Sequence, residues 1–248
     1  MKVLVTRPEH QAQPLSEALK SLGAEVVQFS TLKIVPVEDQ ESIKNTLENV
    51  DLYDIAVFIS ANAVFNAAPY LISITEKTLI IAMGPATSRA LIEAGFKRHY
   101  VPAKPYTTEA LLEMPIFYDV NAQKILIIKG EGGRNLLANK LSERGAQVTQ
   151  LSVYRRECPE SDPEVLKSFW EGDDQRIIVV TSGESLRNLY ELTPVDYRSQ
   201  LFETPLMVVS PRVAEIAREI GGFAETLVAD SAQDEAIIAK FKEWCAII

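Results

Sequence analysis

The chain has 248 residues, 47% of them apolar, enough for one large core or two compact ones. Its 25 Lys and Arg stand against 34 Asp and Glu, a net charge of −9 with no long block of one sign. That balance excludes a general binder of nucleic acid or anionic membrane, since both favour clustered cations, although an anion can still be held locally by backbone N–H groups and a few arginines.

The N-terminal MKVLVTR begins directly as a strand, with no signal-peptide core, and no apolar run approaches a membrane span. Cys158 and Cys245 lack metal-ligand spacing, and only His10 and His99 could join them. A soluble cytoplasmic protein with free thiols and no His/Cys metal site is expected.

Short β-rich runs alternate with helical stretches. Strands are predicted at Lys2–Thr6, Glu25–Phe29, Asp54–Ile59, Leu79–Met83, Lys124–Lys129, Gln147–Gln150, Arg176–Thr181 and Pro205–Val209. Helical patterns lie between them, among them Glu9–Leu22, Pro85–Ala94, Asn135–Arg144 and Pro211–Ile220. Near-continuous Val/Ile/Leu strands separated by helices indicate parallel sheets covered on both faces, so the fold class is α/β.

An internal repeat sharpens this. KVLVTRPEHQAQPLSEALKSLGAEVVQFS lies without a gap on KILIIKGEGGRNLLANKLSERGAQVTQLS, which begins 122 residues later. The same offset carries IAVFISANAV onto IIVVTSGESL, and an offset of 126 carries AMGPATSRALIEAG onto VVSPRVAEIAREIG. The order is A-B-C-A′-B′-C′, two similar α/β units, with the pairing of each A with a B-C left open.

The turn GEGGR after the Lys124 strand invites a phosphate-loop reading, but it matches neither G-x-x-x-x-G-K-[ST] nor G-x-G-x-x-G. Its repeat partner, TRPEHQ, has no glycine. What the two turns share is a place at the carboxyl end of a parallel strand before a helix, where open α/β sheets bind ligands and where free N–H groups suit any anion. Turns of this type recur at Thr6-Arg7-Pro8, Ser60-Ala61-Asn62, Gly84 to Thr87, Gly130 to Arg134, Ser182-Gly183-Glu184 and Ser210-Pro211-Arg212. Each alone reads equally as a helix N-cap, Ser60 and Ser182 most directly. Taken together across two facing domains, they would line a cleft for a multiply negative small molecule.

VYRR, from Val153, and TLKIVPV, from Thr31, follow the two A units as extended segments and suit a two-stranded hinge. Tyr154 there either enters the cleft or packs against the linker. No Ser-His-Asp, Cys-His or diagnostic carboxylate pair is visible, so any chemistry relies on positioning and hydrogen bonding.

VLVTRP, FISANAV, GPATSRALIEAGF, IIKGEGGRNLLANKLSERGAQVTQLSVYRR and VVTSGESL, in that order, resemble the uroporphyrinogen-III synthase family over essentially the whole chain. The resemblance implies cyclisation of hydroxymethylbilane, through an azafulvene on ring A and a spiro intermediate, to uroporphyrinogen III with ring D inverted. No metal or organic cofactor is implied. The expected protein is a monomeric lyase, with hydroxymethylbilane synthase as its upstream partner. The implied fold is two flavodoxin-like α/β domains with exchanged segments, residues 1–35 with 160–248 and residues 40–150, joined by a two-stranded linker of residues 30–39 and 151–159. Tyr154 matches the family's catalytic tyrosine, which assists departure of the hydroxyl. Thr87, Ser60 and Ser182 match substrate-binding turn residues. Gly130 and Gly132 are expected substrate contacts from the Gly130–Arg134 turn, and Arg7, Lys129 and Arg134 are added on charge. A Gly-Pro-Thr-Thr turn of some members reads Ser210-Pro211-Arg212-Val213 here, which replaces a threonine contact by Arg212. The alternatives are a non-enzymatic clamp for a small polyanion and a nucleotide- or flavin-binding protein.

Overall fold

The computed structural model describes residues 1–71 and 77–246, the side chain of His10 excepted. In chain order the elements are β1 (Lys2–Val5), α1 (Glu9–Ser21), β2 (Glu25–Gln28), β3 (Lys33–Pro36), α2 (Gln40–Glu48), β4 (Ile55–Phe58), α3 (Ala61–Ala67), β5 (Leu79–Ala82), α4 (Pro85–Glu93), α5 (Thr108–Leu112), β6 (Lys124–Gly130) and α6 (Leu136–Glu143). They continue with β7 (Gln147–Glu157), α7 (Pro163–Trp170), β8 (Arg176–Val180), α8 (Gly183–Leu192), α9 (Arg198–Glu203), β9 (Leu206–Val208), α10 (Pro211–Ile220), β10 (Thr226–Val228) and α11 (Asp234–Cys245).

The chain divides into two units, Met1–Lys33 with Glu157–Ile248, and Ile34–Arg156. The first is built on a five-stranded sheet in the order β10-β9-β8-β1-β2. The second is built on a five-stranded sheet in the order β3-β7-β6-β4-β5. The pairing that the repeat left open is thus decided: the first A unit joins B′-C′, and A′ joins B-C. Register shows the duplication directly. Lys2 stands opposite Glu25 in β1–β2, and Lys124 opposite Gln147 in β6–β7, each pair parallel and 122 residues from its counterpart. Val3 likewise faces Ile177, and its equivalent Ile125 faces Ile55.

The strands explain why the sheets are parallel and doubly covered. In the first unit Leu4, Ile178 and Val208 pack on one face against Leu186 and Leu189 of α8 and Ala217 of α10. Val3, Val5, Ile177 and Met207 pack on the other against Leu15 and Leu19 of α1 and Phe241 of α11. Consecutive residues of the central strands β1, β8 and β9 are therefore buried, apart from the first residue of β1 and of β8, which gives unbroken apolar runs rather than alternation. Truncating a fully buried residue such as Leu4 to Ala costs about 2–5 kcal/mol. The second unit repeats this with Ala56, Phe58, Leu126 and Ile128 on one face and Ile55, Val57, Ile125 and Ile127 on the other.

Helices α1 and α6 both stop at a glycine with left-handed φ, Gly23 at 85° and Gly145 at 88°, the backbone state that closes a helix without a Cβ clash. Two features differ from the sequence reading. Gln147–Gln150 and the following VYRR form one continuous 11-residue strand, because β-branched and aromatic residues carry the pairing through without a breaker. The short strand β10, three residues beside β9, has too few residues to show a period.

Candidate active site

In the second unit, the carboxyl ends of β4, β6 and β7 surround a pocket of about 250 Å³. Ser60, Lys129, Gly130, Gly132, Arg134 and Tyr154, all expected from sequence, line it together. Arg156 also lines it and was not expected; its signal was a cation two residues beyond Tyr154 on the same strand.

Tyr154 reaches the pocket through an irregularity in β7. Lys129 pairs with Ser152, but the next residue of β6, Gly130, pairs with Tyr154, so β7 carries one extra residue, Val153. A bulge of this kind re-aims the side chain that follows it. The Tyr154 ring then lies on Gly130. A Cβ built at Gly130 would come within 2.5 Å of the ring's Cζ and 2.9 Å of its oxygen, so only glycine admits the ring in this place. The Tyr154 backbone C=O accepts from the Glu131 N–H at 2.8 Å, which ties the glycine turn to the bulged strand. The tyrosine is 3% exposed, and its phenol oxygen sits 3.1 Å from Ser60 Oγ. Ser60 is also the N-cap of α3, accepting from the Ala63 N–H at 3.1 Å. The Arg156 guanidinium stands 5.9 Å from the ring centroid, within reach of a cation–π attraction.

Two of the pocket's cations, Lys129 and Arg134, are weakly committed. Lys129 Nζ donates to Gln150 Oε1 at 3.3 Å. Arg134 faces Glu109 at 3.8 Å, with 70% and 60% of the two side chains exposed, a pair of little energetic weight. The Glu109 carboxyl is held below its ordinary value by the backbone N–H at the start of α5, then by the Thr107 hydroxyl and Arg134. Gly132, with a φ of 72°, lies in the turn between β6 and α6 and leaves its backbone open to the pocket.

Thr87 is 4% exposed in the first turn of α4, after β5, and is not among the residues lining this pocket. The remaining expected residues belong to the first unit. Arg7 is 8% exposed, with its guanidinium paired to Asp234 and donating to the Ala232 C=O at 2.6 Å, so its charge is already engaged there. Ser182 caps α8 by accepting from the Ser185 N–H at 3.0 Å, and its Oγ lies 2.8 Å from Ser185 Oγ. Arg212 is exposed in the first turn of α10.

A wider depression of about 670 Å³ opens at the amino ends of β6 and β7 beside α2. Asp39 and Glu41 line it, it lies at the wrong end of the strands for an open α/β sheet, and its carboxylates repel a polyanion. The smaller pocket is therefore the candidate site. Among the described residues no group of three or more His, Cys, Asp or Glu is placed to hold a metal ion, and no helix is long and apolar enough to cross a membrane. Cys158 and Cys245 are free, and burial raises both thiols, with Glu191 adding to the rise at Cys158.

The family model described as uroporphyrinogen-III synthase HemD matches residues 13–239. The chain belongs to the uroporphyrinogen-III synthase family. It is 31% identical to the uroporphyrinogen-III synthase of Escherichia coli (strain K12), over 96% of this chain and 98% of that one. Identity to the Salmonella typhimurium enzyme of the same name is 32%, with the same coverage of both chains. Among solved structures, a mutant uroporphyrinogen III synthase from the extremely thermophilic bacterium Thermus thermophilus superposes with a TM-score of 0.62 at 20% identity, over the full length of both chains. The uroporphyrinogen-III synthetase of Helicobacter pylori 26695 gives 0.62 at 13% identity, over 100% of this chain and 99% of that one. At these identities the two structures establish the shared two-domain α/β fold, while membership rests on the sequence matches.

Proposed function

We propose that the chain closes hydroxymethylbilane to uroporphyrinogen III with inversion of ring D, a cyclising lyase reaction that expels water. The observation that carries this reading is the likeness, over 96% of the chain, to two proteins named uroporphyrinogen-III synthase. The pocket chemistry agrees with it. A polycarboxylate needs cations whose charge is not already spent, and Lys129 and Arg134 meet that requirement. The pocket's 250 Å³ falls below the roughly 300–1,000 Å³ of a site for a whole drug-sized ligand, so it takes one end of the substrate.

Tyr154 acts as the general acid at the hydroxymethyl group. The carbon–oxygen bond breaks, the oxygen takes the phenol proton and leaves as water, and ring A becomes an azafulvenium ion that ring D attacks. A positioned acid of this kind is worth about 10²–10⁴-fold. Holding a flexible chain so that its two ends meet contributes several kcal/mol more, about what well-oriented intramolecular reactions gain. Thr87, on α4 of the same unit, is read as a ground-state contact to another of the substrate's carboxylates. We read the protein as a cytoplasmic monomer that takes its substrate from hydroxymethylbilane synthase, because free hydroxymethylbilane closes without inversion.

The test is incubation of the purified protein with hydroxymethylbilane generated in the assay, followed by isomer analysis of the oxidised porphyrin. A predominantly type III product is expected. Folded protein that leaves the product at the uncatalysed type I composition overturns the reading.

A further inference from the structure

We propose that Ser60 is a positioning residue that delivers a hydrogen bond to the Tyr154 phenol, and is not a contact for the substrate. The proposal deepens the assignment of Tyr154 as general acid and rests on it.

A serine hydroxyl has one proton and two acceptor lone pairs. One lone pair of Ser60 Oγ is taken by the Ala63 N–H, a backbone donor that cannot reverse its direction. The nearest side-chain partner of the hydroxyl is the Tyr154 oxygen at 3.1 Å. Tyr154 cannot swing away, since its ring is buried and rests on Gly130. With Ser60 donating to the phenol oxygen, the phenol's own proton is left for the pocket. The donors then run one way, from the Ala63 N–H to Ser60 Oγ–H to Tyr154 Oη–H and on to the leaving oxygen. Each bond polarises the next.

This order makes the contribution of Ser60 grow as the reaction proceeds. When the phenol proton passes to the departing hydroxyl, Tyr154 carries a developing phenolate. The Ser60 O–H then donates to an anion, a shorter and stronger bond than in the ground state. When the closed macrocycle regains its aromatic rings it sheds a proton, which restores the phenol. An interaction that strengthens only in the transition state raises kcat and leaves substrate binding alone. A substrate contact would do the reverse.

The repeat supplies an internal control. Ser182, the equivalent of Ser60, also caps its helix, but its Oγ faces Ser185 at 2.8 Å. Position 63, the equivalent of 185, is Ala, and the serine hydroxyl turns to Tyr154 instead.

The experiment uses steady-state kinetics with hydroxymethylbilane on the wild-type enzyme, Ser60→Ala, Ser60→Thr, Tyr154→Phe and the Ser60→Ala/Tyr154→Phe double variant. Loss of one hydrogen bond predicts a kcat about 5–10-fold lower in Ser60→Ala with KM within about twofold, and recovery of most of the rate in Ser60→Thr. In the Tyr154→Phe background the same Ser60→Ala change alters kcat less than about twofold, since no phenol remains to be served. Ser60→Asp guards against misfolding: it caps α3 but offers only an acceptor, so it folds and stays as slow as Ser60→Ala. A raised KM at wild-type kcat in Ser60→Ala, or an undiminished effect in the double variant, overturns the proposal in favour of direct substrate contact. Wild-type product of type I composition fails the enzymatic reading itself. A type III product with full kcat in Tyr154→Phe removes the phenol and its relay while leaving that reading intact.

Discussion

Where the second unit has Ser60, Gly130 and Tyr154, the equivalent positions of the first, 122 residues away, hold Ser182, Pro8 and Leu32. The frameworks match: both serines cap the helix after a buried parallel strand, and both A helices end on a left-handed glycine. The chemistry does not. Leu32 is 8% exposed and offers no proton, and Pro8 opens α1 where Gly130 receives a ring. Arg7 is bound to Asp234, whereas its equivalent Lys129 donates to the neutral Gln150 amide. Duplication thus copied the devices that hold a sheet and its helices together. The phenol, the glycine that seats it and the alanine that frees its serine stand together at one end of one sheet.

The largest expected effect is at the phenol. Tyr154→Phe keeps the ring on Gly130 and lowers kcat and kcat/KM together by about 10²-fold or more, whereas Leu32→Val in the other unit leaves kcat within about twofold. An unchanged kcat in Tyr154→Phe breaks the comparison.

Next comes the seat of the ring. Gly130→Ala pushes the phenol off its place and is expected to lower kcat by about 10-fold, since misplacement of a reacting group by about 1 Å can cost up to 10²-fold. Pro8→Ala at the equivalent turn is expected to leave kcat unchanged. Equal kinetic losses from the two would show that the turns serve structure alone.

The two cations sharpen the contrast between binding and stability. Lys129→Met is expected to raise KM by several-fold with little change in thermal midpoint, the mark of a lost ground-state contact. Arg7→Met leaves Asp234 and the Ala232 carbonyl without their donor, and is expected to lower unfolding free energy by about 1–3 kcal/mol. Chemical denaturation and kinetics on the same preparations measure both.

The smallest effect concerns Glu109. Its folded-state pKa lies below the ordinary 4.5, so its stabilising share is present above that value and fades as pH falls through the lower folded one. Glu109→Gln is expected to lower stability slightly at neutral pH and to converge on the wild type as pH falls below 4.5, the loss being small because the group is exposed and its pair with Arg134 is screened. A carboxyl resonance titrating at or above 4.5 would contradict it.

Much of the candidate site was legible because its residues sit at strand ends, and strand ends follow from apolar periodicity. Ser60, Lys129 and Gly130 each close a buried run, and Tyr154 stood out by its place after the repeated A unit. Arg156 was missed because its one local mark, a place two residues beyond Tyr154 on the same strand, does not by itself tell a pocket-facing cation from a solvated one. The engagement of Arg7 was equally hidden: its partner Asp234 lies 227 residues on, and charge counted along the chain cannot tell a committed cation from one with charge to spare.

The sequence alone determined the parallel α/β class, the duplication and its register, since these depend on side-chain periodicity and on helix-ending glycines that act over a few residues. Only the tertiary structure decided which A unit enters which sheet. Both β1 and β6 are apolar on two faces and would satisfy either neighbour, so the choice lies in contacts spread across each sheet. It also decided the phenol's seat. The extra residue at Val153 leaves no mark in composition or spacing, because a bulge is a mismatch between two strands and is defined only when they pair.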